Sequence, residues 1–239
     1  MKKINYGIDA PKVIRNLLII GILLLLCSIF LPADLFPPIS IYLNRSSFIP
    51  GICLTITGLL MIAYAKIGKF KHRDRILNLH NWKGDENVLD VGTGLGLLMI
   101  GAAKKLTNGK SFGIDIFNTY DLSDNSIEQT KINAELENVT NKVEILKENI
   151  LKTNFKEDYF DVIVSNLCLH NLYKSEEKEQ ACIEIHRILK RNAKAIISDF
   201  KGINEYKKTF ENLGMTVEKV ETYYFDTFPP LTIIIATKK

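Results

Sequence analysis

The chain has little with which to build a disulfide framework or a metal centre. Its four cysteines, Cys27, Cys53, Cys168 and Cys182, form no CxxC pair and no metal-ligand spacing. Free thiols in a reducing compartment are the expectation. The four histidines, His72, His80, His170 and His186, are scattered without the HxxxH spacing of a helical metal site, so no metal is expected. Basic residues exceed acidic ones by only 31 to 27. No stretch shows a dense Lys/Arg stripe with interleaved aromatics, so a nucleic-acid partner is not expected. No internal repeat or low-complexity tract is present.

Charge is also missing from two long stretches. Val13–Leu31 (VIRNLLIIGILLLLCSIFL) is uncharged beyond Arg15, and Phe48–Ala65 (FIPGICLTITGLLMIAYA) has no charge at all. Both approach the roughly 20 apolar residues that a bilayer core requires. A Pro-rich segment, PADLFPPISIYLNRSS, lies between them. A cleaved signal peptide is a competing reading, with Lys2 and Lys3 as its basic start, but the second run would remain after cleavage. A buried helical pair is another, but neither run carries the polar stripe of a core helix. The expectation is a two-helix membrane hairpin in residues 1–68. Lys2, Lys3, Lys12 and Arg15 precede the first run, Lys66, Lys69, Lys71, Arg73 and Arg75 follow the second, and only Arg45 lies between. The Lys/Arg bias places both ends in the cytoplasm, the cell membrane being the location.

Residues 69–239 read as a separate domain in which strands and helices alternate. Strands are expected at Asn87–Val91, Ser111–Ile116, Lys142–Leu146, Phe160–Ser165, Ala193–Asp199, Val217–Tyr224 and Leu231–Thr237. Helices are expected at Arg73–Trp82, Leu95–Leu106, Asp124–Glu137, Ser175–Lys190 and Asn204–Leu213. Such alternation gives an α/β fold, a doubly wound, Rossmann-like, seven-stranded sheet covered on both faces. The short connection between the last two strands makes the last one antiparallel.

The first strand ends in NVLDVGTGLG, with Gly92, Gly94 and Gly96 in the turn. Glycine lets the backbone bend sharply and lets a ligand approach closely, and ligands of such sheets bind at the carboxyl ends of the strands. A dinucleotide site requires GxGxxG, but Leu97 breaks that pattern, which argues against an NAD-type oxidoreductase. GxGxG with an acid two residues before it resembles motif I of the class I S-adenosylmethionine (SAM)-dependent methyltransferases. Asp115, 19 residues beyond Gly96, resembles that family's ribose-binding acid, KENI at 147–150 its Gly-Asp-Ala segment, YFDVIVSNLCLHNL its fourth strand and following loop, and EIHRILKRNAKAIISDF its "RvLKPGG" segment. The stretch FNTYDLSDNSIEQTKINAELENV resembles a membrane-linked bacterial subgroup of unassigned substrate.

The resemblance covers about Trp82 to Lys239 and implies SAM as cofactor. It places Asp90 near the methionine ammonium, on a loop with Gly92, Thr93, Gly94 and Gly96. It places Asp115 on the ribose hydroxyls, Ile116 and Phe117 over the adenine, and Asn149 and Ile150 beside the adenine amino group, where an amide oxygen can still accept. Asn166 would line the cleft. His170 is the candidate base, since histidine titrates near neutrality, against a plain reading as a hydrogen-bonded loop residue. Methyl transfer needs chiefly alignment, because the cofactor carries an activated group. The expected activity is therefore methyl transfer to a small-molecule or membrane-soluble acceptor. A catalytically silent SAM-binding sensor or scaffold is the alternative.

Overall fold

The computed structural model describes residues 3–31 and 39–239, with residues 39–45 described by their backbone alone. Two apolar helices open the chain, α1 (Pro11–Phe30) and α2 (Ile39–Ala63). The second begins nine residues before the apolar run, so the polar stretch around Arg45 is helical. Of the segment expected to face outward between the helices, residues 32–38 lie outside the described residues, and residues 39–47 form the start of α2. Both helices are long and apolar enough to cross a membrane, and only 11% and 22% of their apolar windows are buried. They pack closely through glycine. A Cβ on Gly21 would sit 2.8 Å from the Thr55 backbone nitrogen, and one on Gly58 2.8 Å from the Leu18 side chain. Small residues of this kind let two helix backbones approach closely.

The boundary expected between residues 68 and 69 falls inside a continuous helical run. α2 passes through a π-helical turn (Tyr64–Gly68) into α3 (Lys69–Leu77). Gly68 is required there, because a Cβ would meet the Asp226 carbonyl oxygen at 2.3 Å. Ile76 and Leu77 then bury against the sheet.

The sheet contains β1 (Asn87–Val91), β2 (Lys110–Asp115), β3 (Val143–Lys147), β4 (Phe160–Asn166), β5 (Leu189–Asp199), β6 (Thr216–Tyr223) and β7 (Leu231–Thr237). Their order is β3-β2-β1-β4-β5-β7-β6, and only β7 runs against its neighbours. The seven-stranded α/β expectation holds. Between strands lie α4 (Leu97–Ala103), α5 (Ile127–Leu136), α6 (Ser175–Ile188) and α7 (Ile203–Asn212). Alternate strand residues divide between two cores. Val88, Val162, Val164 and Ile196 face α3 and α4, and Leu89, Ile163, Ala195 and Ile197 face α6 and α7, as the period of two demands.

Three local details differ from the sequence expectation. α5 starts at Ile127, three residues later than expected, and is capped by Ser126, whose hydroxyl accepts from the Gln129 amide. β5 starts at Leu189 rather than Ala193, and its register with β4 shifts between the Phe160–Leu189 and Val162–Lys194 pairs, with Asn192 at φ 62°. Asparagine tolerates that left-handed conformation better than most residues. Finally, residues 3–10, assigned from sequence to the hairpin, form a strap lying against α5 and the loop after β2. Ile8 exchanges two hydrogen bonds with Ser123, and the Ala10 amide donates to the Asp121 carbonyl.

Asn133 on α5 clasps this strap. Its side chain accepts from the Asn5 amide at 3.0 Å and donates to the carbonyls of Asn5 at 2.7 Å and Leu95 at 2.9 Å. The residue is fully buried. Asn133→Ala is expected to cost about 2–4 kcal/mol, from three bonds at roughly 0.5–1.5 kcal/mol each and the groups left unpaired. Thermal unfolding checks the loss of stability. Hydrogen exchange should show residues 3–10 opening before the sheet, and a strap that stays protected would contradict the clasp.

Candidate functional site

The carboxyl end of β1 lies at the centre of the sheet, beside β4, where the strand order reverses direction. Such a point leaves a crevice between the flanking loops. The loop Gly92–Gly96 forms its floor. Gly92, Gly94 and Gly96 adopt φ of 74°, 51° and 86°. A Cβ on Gly92 would collide with Cys168 Sγ at 2.3 Å, so this glycine brings the loops after β1 and β4 together. Gly94 lines the cavity at a positive φ, and a Cβ there would meet Cδ2 of Leu122, another lining residue, at 2.7 Å. The Gly92 and Thr93 amides both donate to the Ile114 carbonyl, so the loop is tied to β2 and does not present those donors to the cavity.

Two carboxylates converge on this floor. Asp90 is buried on β1, and its Oδ2 accepts from the Thr93 hydroxyl at 2.8 Å and the Met99 amide at 2.9 Å. Burial pushes its pKa up to about 7 against the opposing pull of those bonds. Asp115 ends β2 and accepts from the Gly94 amide at 2.9 Å and the Phe117 amide at 2.5 Å, with the Asn125 side chain at 3.5 Å. Burial raises its pKa as well. A desolvated carboxylate without a cation favours a ligand that supplies positive charge or hydroxyl donors. These residues therefore fit a molecule with an ammonium group and a ribose, as SAM has.

The structure brings most of the predicted residues to one cavity. Asp90, Gly92, Thr93, Gly94, Asp115, Ile116, Asn149, Ile150 and Asn166 all line it. Gly96 does not. It serves as the left-handed residue that starts α4. Phe117 also lies off the wall, at φ 55°, where its amide orients Asp115. The Asn149 side-chain oxygen accepts from the Leu151 amide at 3.0 Å, so its oxygen is already engaged. His170 stands outside the cavity lining. Its Nδ1 lies 2.8 Å from Asp199 Oδ1, its backbone amide donates to Asp199 Oδ2, and its ring packs on Phe200. This is the arrangement of a loop histidine held by a buried carboxylate.

The remaining wall was not foreseen. Tyr6 and Asp9 of the strap, Tyr64 of the π-helical turn and Lys69 of α3 all line the cavity. Lys69 is buried and donates to the Tyr6 and Gly7 carbonyls, both at 2.6 Å, with Asp9 Oδ2 at 3.7 Å. The Tyr6 hydroxyl donates to Glu137 at 3.0 Å. Gly113 also escaped notice. A Cβ there would strike Met99 and Thr93 within 2.7 Å, so it is this glycine that lets the pair seated on Asp90 pack.

Comparison with known proteins gives the same direction. A family model described as a methyltransferase domain matches residues 83–228. Over 140 residues the chain is 34% identical to a ribosomal protein L11 methyltransferase of Fusobacterium nucleatum, covering 57% of this chain and 40% of that protein. It is 30% identical over 131 residues to a 2-phytyl-1,4-naphtoquinone methyltransferase of Nostoc sp., covering 54% and 53%. The chain thus spans about half the length of these relatives or less. A solved SAM-dependent methyltransferase from Aquifex aeolicus superposes with a TM-score of 0.54 at 21% identity, covering 69% of this chain and 88% of the other, which establishes a shared fold.

The raised pKa of Asp90 makes a prediction with a definite sign. A cationic group placed beside it binds the ionised form, so affinity is lost as pH falls below about 7. Calorimetry should show SAM affinity dropping on the order of tenfold between about pH 7 and about pH 5.5, with proton release on binding. In Asp90→Asn the affinity should be low and flat across that range. Without ligand the sign reverses. The folded state binds the extra proton, so this group makes stability fall as pH rises from its ordinary carboxyl value toward 7. A pH-independent affinity in the unaltered protein would remove Asp90 from the cationic end of the site.

Proposed function

Because this chain belongs to the methyltransferase-domain family, whose cofactor is SAM, we propose that it is a membrane-tethered enzyme methylating a small-molecule or membrane-soluble acceptor. The observation that supports this most is the meeting of Asp90, the Gly92–Gly96 loop and Asp115 at the crevice beside β1. The cofactor supplies a methyl group already activated on a sulfonium, so the chain's task is to bind and orient it. Asp90 would hold its ammonium and Asp115 its ribose hydroxyls. Ile116 and Ile150 would flank the adenine. Asn166, at the end of β4, stands between that site and the newly seen wall.

Membrane tethering rests on α1 and α2, whose outer surfaces are apolar. Ile29 and Ile49, for example, are 63% and 70% exposed. Water would penalise such a surface, whereas lipid would not. Nine basic residues flank the pair and one lies between, which sets both ends in the cytoplasm. A cysteine introduced between the two helices should react with an impermeant thiol reagent applied outside intact cells. Protection from that reagent would overturn the topology. The likeness to a membrane-linked bacterial subgroup belongs to this proposal.

Two substitutions test the cofactor site. Asp115→Ala removes a charged acceptor from the ribose end, where each bond is worth about 1.5–3 kcal/mol, and should weaken SAM binding at least about tenfold. Gly94→Val forces a β-branched residue to a positive φ and fills the cavity, and should abolish binding while the sheet still forms. Normal SAM affinity in either variant would remove the loop from the site. Conversion of SAM to S-adenosylhomocysteine in the presence of a host membrane extract distinguishes the enzyme from a silent SAM-binding protein.

A further inference from the structure

The wall formed by Asp9, Tyr64, Lys69 and Asn166 contains polar atoms that the cofactor motifs do not use. Asn166 Oδ1 is buried and receives no hydrogen bond, and Asp9 Oδ2 is buried with the Lys69 ammonium as its ion-pair partner at 3.7 Å, beyond hydrogen-bond reach; both residues line the cavity. Lys69, 3.7 Å from Asp9, directs short bonds to the strap carbonyls instead. Asn166 reaches the Tyr64 hydroxyl only at 3.5 Å and through its other atom. Buried acceptors left without donors cost about 1–3 kcal/mol each. Such acceptors on one cavity wall suit a molecule that brings O–H or N–H groups.

A second observation tells where that molecule comes from. Outside the two apolar helices, the large exposed aromatics among the described residues are Tyr120, Tyr173, Phe200, Tyr224 and Phe225. They follow β2, β4, β5 and β6, so all five lie at the carboxyl edge of the sheet. That is the edge bearing the cavity and the π-helical turn by which α2 enters the domain. Phe225 is fully exposed, and it neighbours Asp226, whose carbonyl abuts Gly68 at the end of that turn. Four exposed lysines accompany these aromatics: Lys12 stands over the Tyr120 ring, Lys66 lies in the π-helical turn, and Lys174 and Lys201 lie in the loops after β4 and β5. Aromatics and lysines gathered where apolar helices emerge match the headgroup level of an anionic bilayer.

We propose that this edge of the domain rests on the membrane surface and that the cavity receives a bilayer-dissolved amphiphile, whose hydroxyl or amine head sits against Asp9 and Asn166. The inference rests on the membrane-tethered methyltransferase reading, and it narrows the acceptor to that chemical class. A long apolar tail would remain in the lipid beside α1 and α2 while the head enters. Asp9 and Tyr64 act here as acceptor-binding residues, distinct from the cofactor carboxylates.

The test uses the full chain in nanodiscs containing anionic lipid, without SAM. A diazirine-bearing hexadecanol is photolysed in the disc, and its methyl ether is the control. The alcohol should label peptides covering residues 3–10 or 160–174 several-fold more than the ether. Asp9→Asn, and independently Tyr64→Phe, should lower that labelling toward the level of the ether. SAM affinity of both variants, read by calorimetry, should stay within about twofold of the unaltered chain. Emission from Phe225→Trp should be quenched by lipids carrying a nitroxide near the headgroup. Equal labelling by alcohol and ether, or competition by water-soluble butanol at equal concentration, would overturn the amphiphile. A tenfold loss of SAM affinity in Asp9→Asn would assign that residue to the cofactor and likewise overturn the proposal, and an unquenched Phe225→Trp would turn the edge away from the membrane. An unaltered chain that binds no SAM would sink the underlying methyltransferase reading instead, a result that calorimetry reports separately from the labelling.

Discussion

The buried ammonium of Lys69 organises the junction on which the site depends. A charge taken out of water must find partners or neutralise. Lys69 finds the carbonyls of Tyr6 and Gly7 and the carboxylate of Asp9, all from the ten residues that precede the first apolar helix. The lysine itself stands at the start of α3, directly after the second apolar helix. One side chain therefore ties the chain before the helical pair to the chain after it. Burial raises the pKa of Asp9, even with the nearby lysine pulling the other way. The strap and the start of α3 meet at this one cation, and the cavity wall lies where they meet.

The π-helical turn follows from the same requirement. An α-helix has 3.6 residues per turn, and one inserted residue rotates everything beyond it. Tyr64 lines the cavity, Lys69 is buried among strap carbonyls, and Ile76 and Leu77 lie on the sheet. His72 and Arg75 fasten the other side, where His72 contacts Ser198 at 2.7 Å and Arg75 pairs with Asp226 at 2.6 Å beneath Tyr223. Of these residues, Lys69 and Arg75 were counted from sequence as positive charge beside an apolar run. In the folded chain their contacts dock the helix against the strap and the segment after β6.

What the sequence showed was whatever local chemistry dictates. Short β-branched runs marked the strands, and the failed GxGxxG together with Asp90 and Asp115 separated one cofactor class from another. Each of those signals comes from residues adjacent in the chain or one βαβ unit apart. His170 had the residue type and loop position of a base, but Asp199, 29 residues away, determines where its ring points. Phe117 had the hydrophobicity of an adenine cover, but a positive φ uses its amide to orient Asp115 instead. Gly113 reads as an ordinary strand glycine until Met99 and Thr93 are seen against it. In each case the missing information was tertiary, a contact made by a residue distant in sequence.

The strap is the extreme case, because its partners lie more than a hundred residues away, at Ser123 and Asn133. In sequence, residues 3–10 are a short lead to an apolar helix, and the domain reads as beginning at Lys69. In space, the helical pair is inserted between two parts of one cavity wall. The helical pair and the domain are therefore not independent modules. A chain cut at Lys69 keeps all seven strands and both cofactor carboxylates. It loses Tyr6, Asp9 and Tyr64, and the Lys69 ammonium loses its three partners. Those three residues stand on either side of the helical pair, whose helices approach closely at Gly21 and Gly58. That close packing, the clasp of Asn133 and Ser123 on the strap, and the bonds of Lys69 together set the geometry of a polar cavity wall.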